Sequence, residues 1–209
     1  MIRGGLLSLK HFVSTINSTR KFSDMVSALV IASNGSEDIE LVTPVDVLRR
    51  SNIEVTVASL QDTETITCTN GSEFKVNSKL SDVKGKTFDA VILPGGGPGS
   101  KAFAESSLVG EILKNHEGKG KVVAAICAAP IAFASHKIAS GGTLTSYPCF
   151  EEELVKAGYK YSTDRVVVYG DKIVTSRGPG TAMDFAFKLS EMLAGKEKAD
   201  EVRKAMLII

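Results

Sequence analysis

Three cysteines are too few, and too scattered, for a disulfide framework. Cys68, Cys127 and Cys149 are odd in number and contain no CxxC pair, which argues against a zinc site as well and fits a reducing compartment. The chain lacks an excess of either charge: 25 basic residues face 24 acidic ones, so nothing draws it toward nucleic acid or an anionic membrane. A small molecule or a second copy of the chain is the expected partner. Long apolar runs are missing too. The longest, from Val122 to Ala134, is too short to span a bilayer and contains Pro130. With 209 residues, 43% of them hydrophobic and only 6 proline, what remains is a chain able to bury one compact core.

Acidic residues are absent before Asp24, while Arg3, Lys10, Arg20 and Lys21 are basic and serines are interspersed. That is the composition of a mitochondrial presequence, with Leu6, Leu7, Leu9, Phe12, Val13 and Ile16 supplying the apolar face. An untranslocated tail reads equally well, and initiation at Met25 would then give a cytoplasmic, and also nuclear, form. The expected organisation is an extension over 1–24 and one domain over 25–209.

From Ser27 onward, short β-branched runs alternate with longer helical periods, the pattern of βαβ units feeding a parallel sheet covered on both faces. Ala28–Ala32, Val55–Leu60, Ala90–Leu93 and Val122–Ile126 read as buried strands. Glu37–Arg50 has the helical period, with Ser36 as its expected cap, and Ser107–His116 is a second helix. Asn70-Gly71 signals a hairpin at the sheet edge. Later come a strand near Leu144, a helix over Glu151–Ala157 and paired strands Val166–Tyr169 and Ile173–Ser176. Helices over Thr181–Leu193 and Glu197–Met206 close the chain.

In such sheets chemistry sits beyond the carboxyl ends of the strands. Cys127 follows a buried strand and precedes Ala128, Ala129, Pro130 and a helix; a helix terminus would lower its thiol pKa and the tight turn would lift it above the sheet. A buried, inert cysteine is the competing reading. The loop Leu93-Pro94-Gly95-Gly96-Gly97-Pro98-Gly99 lacks the Walker order, and its glycines let an N–H near Gly96 join that of Ala128 at an oxyanion, or form a plain turn. Glu40 lies among Ile39, Leu41 and Val42, where an apolar setting would raise its pKa. Arg177 in Ser176-Arg177-Gly178-Pro179-Gly180-Thr181 reads as an anion contact, an interface contact or a solvated charge, as do Arg49 and Arg50 at the end of the first helix.

Taken in order, Ala28 to Ile31, Glu37 to Arg50, Leu93 to Gly96, Ala125-Ile126-Cys127-Ala128 and Thr175 to Thr181 resemble the Parkinson-associated deglycase family, the DJ-one branch of the PfpI superfamily. The resemblance implies a flavodoxin-like three-layer α/β sandwich with a mainly parallel central sheet and a nucleophile elbow, in a homodimer. It also implies that Cys127 is the reactive cysteine and Glu40 its hydrogen-bonding acid. Gly96 and Ala128 would donate backbone N–H groups, and Pro179 would approach the partner subunit's pocket.

One departure concerns a position where many members carry histidine before proline: this chain has Thr145-Ser146-Tyr147-Pro148, and Tyr147 offers only a hydroxyl at neutral pH. His11, His116 and His136 supply no replacement base, and the His-x-Glu of the related amidotransferases is missing. The implied activity is a cofactor-free and metal-free glyoxalase converting methylglyoxal or glyoxal to lactate or glycolate, with Cys127 and Glu40 catalytic and Gly96, Ala128, Tyr147, Arg50 and Pro179 around the substrate. Deglycation of proteins or nucleotides would use the same residues. The alternative function is a redox sensor in which Cys127 is oxidised to the sulfinate.

Overall fold

The computed structural model describes residues 25–208, so the extension over 1–24, read above as a presequence or a tail, lies outside the described residues. Strand β1 (Ser27–Ala32) leads through a short loop into helix α1 (Asp38–Arg50), and β2 (Glu54–Ser59) returns parallel to β1. After β3 (Thr65–Thr67), β4 (Glu73–Lys75) and β5 (Ser78–Lys79), the chain crosses to β6 (Ala90–Leu93) on the opposite side of β1. Helices α2 (Gly97–Glu105) and α3 (Ser107–Gly118), then β7 (Val122–Ile126) and α4 (Pro130–His136), continue outward. The remainder is β8 (Thr143–Leu144), α5 (Glu151–Lys156), β9 (Lys160–Tyr161), β10 (Val166–Tyr169), β11 (Ile173–Ser176), α6 (Ala182–Ala194) and α7 (Lys196–Ala205).

The main sheet runs β10-β11-β7-β6-β1-β2-β5 and is parallel except for the β10–β11 hairpin. Its central strands are apolar without interruption because both faces are covered. Leu29 and Ile31 of β1 pack with Phe103, Leu113 and Phe133 from α2, α3 and α4. The alternate residues Ala28, Val30 and Ala32 pack with Leu41, Val45 and Leu48 of α1 and Phe185 and Leu189 of α6. Three layers result, as the flavodoxin-like reading requires. Helices α1 and α6 are also tied by a 2.6 Å contact between the Ser51 and Ser190 hydroxyls.

Four details differ from the sequence reading. The N-cap of α1 is Glu37, whose carboxylate accepts from the Glu40 N–H at 2.8 Å; Ser36 turns inward and accepts from the Ser33 N–H. The Asn70-Gly71 turn does join two strands, but β3 and β4 form a separate ribbon, and β5 is the sheet edge. The ribbon is held over the β1–α1 loop by Gly35 N–H to Thr67 O, Thr69 N–H to Ser36 O and the Asn70 N–H to the Asp38 carboxylate, so its polar backbone is satisfied there. Helix α3 continues to Gly118, two residues past its expected end at His116. Finally, Gly97–Glu105 is a helix and not only a loop: Gly96 at φ 92° turns the chain, and Pro98 falls in the first turn, where a missing N–H costs nothing. Among the described residues no helix is long and apolar enough to cross a membrane.

Candidate functional site

The order of strands reverses between β1 and β6, which opens a crevice beyond their carboxyl ends. Four segments meet there: the loop after β1 that starts α1, the glycine run after β6, the turn after β7 and the turn after β11. Cys127 stands at the top of β7 with φ 65°, a left-handed conformation rare for a side-chain-bearing residue and a mark of local strain. Hydrogen bonds fix the strained residue on both sides. Its N–H donates to Ser176 O at 3.0 Å, its carbonyl accepts from the Tyr147 N–H at 2.8 Å, and the Ala129 N–H closes the turn on Ile126 O at 3.0 Å.

Glu40 sits in the first turn of α1 and is wholly buried. Oε2 accepts from the Gly95 N–H at 2.9 Å, while Oε1 completes no hydrogen bond among the described residues. The Cys127 thiol lies close enough to the carboxyl that each group shifts the other's acidity. Burial is the larger cause for both. It lifts Glu40 to about 7, against hydrogen bonds from Cys127 and the Gly95 N–H that favour the anion, and with help from the negative charge of Glu37. Cys127 is pushed up to about 12, first by burial and then by the charge and hydrogen bond of Glu40, against the N–H groups of Gly96 and Ala128, which draw it down.

The direction for Cys127 reverses the expectation of a thiol acidified by a helix end. Helix α4 begins only at Pro130, and two amides do not offset burial beside a carboxylate. The same two amides are those expected around an oxyanion, so Gly96 and Ala128 are brought to the sulfur as the spacing suggests. Gly95, which the sequence reading passed over, is required by space. A Cβ there would lie 2.3 Å from Glu40 Oε2 and 2.5 Å from the Cys127 Cβ. Its signal was its place in the glycine run, which did not say which glycine touches what.

Tyr147 and Pro179 line an open pocket of about 380 Å³ together with Pro148, Arg165, Arg177 and Gly178. The pocket adjoins the pair: a Cβ on Gly178 would lie 3.5 Å from the Tyr147 ring and 3.9 Å from Glu40 Oε1. Arg50 is not brought to the site. It sits in the last turn of α1, ion-paired with Asp46 at 2.9 Å, whereas Glu40 occupies the first turn. Ten residues of helix span about 15 Å, which is the physical reason for the separation. Both histidines of the described residues are occupied elsewhere: His116 accepts from the Phe88 N–H and donates to Ile112 O, and His136 contacts Phe103 O. Cys68 is buried and raised to about 11 by desolvation, with Asp38 and Glu37 adding to it, and Cys149 is exposed in a short 3-10 turn. Among the described residues, no three His, Cys, Asp or Glu side chains are grouped as metal ligands.

A parallel sheet whose strand delivers a left-handed cysteine into a crevice, opposite a buried carboxyl on the first helix, defines the nucleophile-elbow class of α/β proteins. Within that class, the sequence pattern of the DJ-1/PfpI family matches residues 26–192, and the chain belongs to this family. It is 48% identical to protein dj-1beta of Drosophila melanogaster, over 87% of this chain and 97% of that one. The crystal structure of Drosophila melanogaster DJ-1beta superposes with a TM-score of 0.86, covering 88% of this chain and 99% of that chain. A protein of Caenorhabditis elegans named glutathione-independent glyoxalase DJR-1.2 is 38% identical, over 87% of this chain and 96% of its own. A solved structure of oxidized DJ-1 from Toxoplasma gondii, 38% identical, has a TM-score of 0.82 and covers 87% of this chain and 98% of that one.

Proposed function

We propose that the protein is a cofactor-independent glyoxalase converting methylglyoxal to lactate and glyoxal to glycolate. The observation that carries the reading is the pairing of Cys127, at an elbow flanked by the Gly96 and Ala128 amides, with a buried Glu40 that titrates at about 7. A carboxyl of that acidity can both give and take a proton at neutral pH. The name of the Caenorhabditis elegans relative points to the same reaction class.

In the resting pair the proton resides on sulfur or on Glu40, and moving it to Glu40 removes the carboxylate charge that holds the thiol protonated. The thiolate then adds to the aldehyde carbon. A C–S bond forms, the carbonyl electron pair moves to oxygen, and the oxyanion meets the Gly96 and Ala128 N–H groups before Glu40 protonates it. Glu40, now a carboxylate, takes the C1 proton; the freed pair makes an enediolate with its charge on the C2 oxygen, the hydroxyl proton on the C1 oxygen passes to the C2 oxygen, and Glu40 returns its proton to C2. C1 is oxidised and C2 reduced within one molecule, so no external oxidant is needed. Water cleaves the resulting thioester and releases the 2-hydroxy acid and the thiolate.

The test is lactate formation from methylglyoxal by the purified protein without glutathione, compared with Cys127→Ser and Glu40→Gln. Wild-type turnover is expected, with losses of at least about 100-fold in both variants. Absence of turnover in the wild type sinks the reading, and unchanged turnover in Cys127→Ser sinks the assigned nucleophile.

A second reading is supported by the partial exposure of Cys127 beside a protonatable carboxyl: oxidation of its sulfur by peroxide to the sulfinate, as a redox sensor. Intact mass after two equivalents of peroxide per chain, with wild type gaining two oxygens and Cys127→Ser none, supports it; equal gains in both exclude it.

A further inference from the structure

Around Glu40 the hydrogen bonds close into a ring. The Glu37 N–H donates to the Gly95 carbonyl at 2.9 Å, the Gly95 N–H donates to Glu40 Oε2 at 2.9 Å, and the Glu40 N–H donates to Glu37 Oε2 at 2.8 Å. Three residues, Glu37 and Glu40 at the start of α1 and Gly95 in the glycine run after β6, thereby fix one another, and the ring satisfies backbone groups left open at a helix start and in a glycine turn. The ring has a directional consequence. Because Oε2 is taken by the Gly95 N–H, it stays an acceptor, and the buried Oε1, which completes no backbone hydrogen bond among the described residues, is left as the oxygen free to exchange a proton with the neighbouring Cys127 thiol.

Glu37 therefore does more than cap a helix. Its main-chain N–H orients the peptide that leads into Gly96, and its side chain holds the start of α1, whose third residue is Glu40. Space leaves this peptide no freedom to reorient. A Cβ on Gly96 would lie 2.2 Å from Gly35 O and 2.6 Å from the Glu37 nitrogen, so the glycine turn and the cap are in direct contact.

We propose that Glu37 is a positioning residue for the Cys127–Glu40 pair: through the ring it fixes Oε2 of Glu40 on the Gly95 N–H and leaves Oε1 as the oxygen that exchanges a proton with the Cys127 thiol. The assignment rests on the glyoxalase reading for its use in turnover, and on none of it for the titration itself. Other charged or titratable groups around the pair are Cys127 itself on the β7 turn, Asp38 on α1, whose carboxylate is occupied by the Asn70 and Ser72 N–H groups, and the inert Cys68 thiol on the ribbon. Arg177 follows β11, but its guanidinium is turned to Thr163 O. Among the described residues Glu37 is the one carboxylate that accepts from the Glu40 N–H, and its negative charge favours the protonated form of Glu40.

The deciding experiment follows iodoacetamide labelling of Cys127 against pH, beside the carboxyl carbon shift of Glu40 by nuclear magnetic resonance. Glu37→Gln keeps an acceptor for the Glu40 N–H, so the fold is retained, but it removes the charge. The midpoint of both curves is expected to move down by about half a pH unit or more relative to wild type. Glu37→Ala removes acceptor and charge together and is expected to shift the midpoint further and broaden the Glu40 signal. Glu37→Asp keeps the charge and is expected to return the midpoint toward wild type. Coincident midpoints for wild type, Glu37→Gln and Glu37→Ala overturn the proposal. If Glu37→Ala fails to fold, the Gln and Asp variants decide alone. Neither readout requires methylglyoxal turnover, so failure of the glyoxalase reading leaves this test intact, and a glyoxalase with unmoved midpoints refutes the role of Glu37 only.

Discussion

Substituting glutamine for Glu40 separates two effects that coincide in the wild type, since the amide oxygen can still accept from the Gly95 N–H while no charge is buried. The linkage has a definite sign. The folded chain holds the Glu40 proton up to about 7, whereas an unfolded glutamate releases it near 4.5, so between these values the unfolded state binds fewer protons and stability falls as pH rises. Above the folded value the cost levels off, on the order of 3 kcal/mol. Urea unfolding of wild type and Glu40→Gln at pH 4.5 and pH 8 is expected to show the variant gaining on wild type by up to that amount at the higher pH. A difference that is flat with pH contradicts the buried carboxyl. The acid was visible in the sequence as a glutamate among apolar neighbours, but the acidity of Cys127 was not. Its upward shift depends on Glu40 lying across the crevice, a contact that no local pattern encodes.

At the scale of elements, the buried strands were the most legible feature. Ala90–Leu93, Val122–Ile126, Val166–Tyr169 and Ile173–Ser176 form where the sequence reading placed them; the first two are apolar and buried along their whole length because strands covered on both faces need no polar side. Helix α2 was hidden by its own start, Gly97-Pro98-Gly99, whose composition signals a turn; what makes it a helix is the left-handed Gly96 and the packing of Phe103 in the core beneath. Helix α1 was legible over its length, yet not its cap, and Pro44 within it deprives the Glu40 carbonyl of its helical donor. The glycine run deserves a direct test because its residues are unequal. Gly95→Ala forces a methyl against Glu40 Oε2, the Cys127 Cβ and Ile126 O at 2.3–2.9 Å, of which two are fixed parts of the core, so a loss of about 1–3 kcal/mol is expected together with altered labelling of Cys127. Gly85→Ala, where a Cβ meets nothing within 4 Å, is the matched control and should stay within about 0.5 kcal/mol. Equal losses in the two variants would contradict the packing around Gly95.

For the whole molecule, the question left by the fold is what covers the outer side of α1. Leu41, Val45 and Leu48 satisfy the inward face, yet Ile39 and Val42, one turn apart, remain 52% and 46% exposed on either side of Glu40. An amphipathic surface helix would place polar residues there. Single exposed apolar residues need no explanation, but a pair in the first turns of the helix that carries the site acid fits a contact with a second copy of the chain. Such a two-fold contact is self-complementary, so every substitution acts twice. Introducing aspartate at both positions places four charges in one symmetric interface, a penalty of several kcal/mol against a dimer. Light scattering after gel filtration at micromolar concentration is expected to give twice the chain mass for wild type and the chain mass for the Ile39→Asp, Val42→Asp double variant. Glu54→Gln, at an exposed position at the start of β2, serves as a surface control and should leave the mass unchanged. A wild type that is monomeric at that concentration, or a double variant that remains dimeric, means that this face of α1 is not where two copies meet.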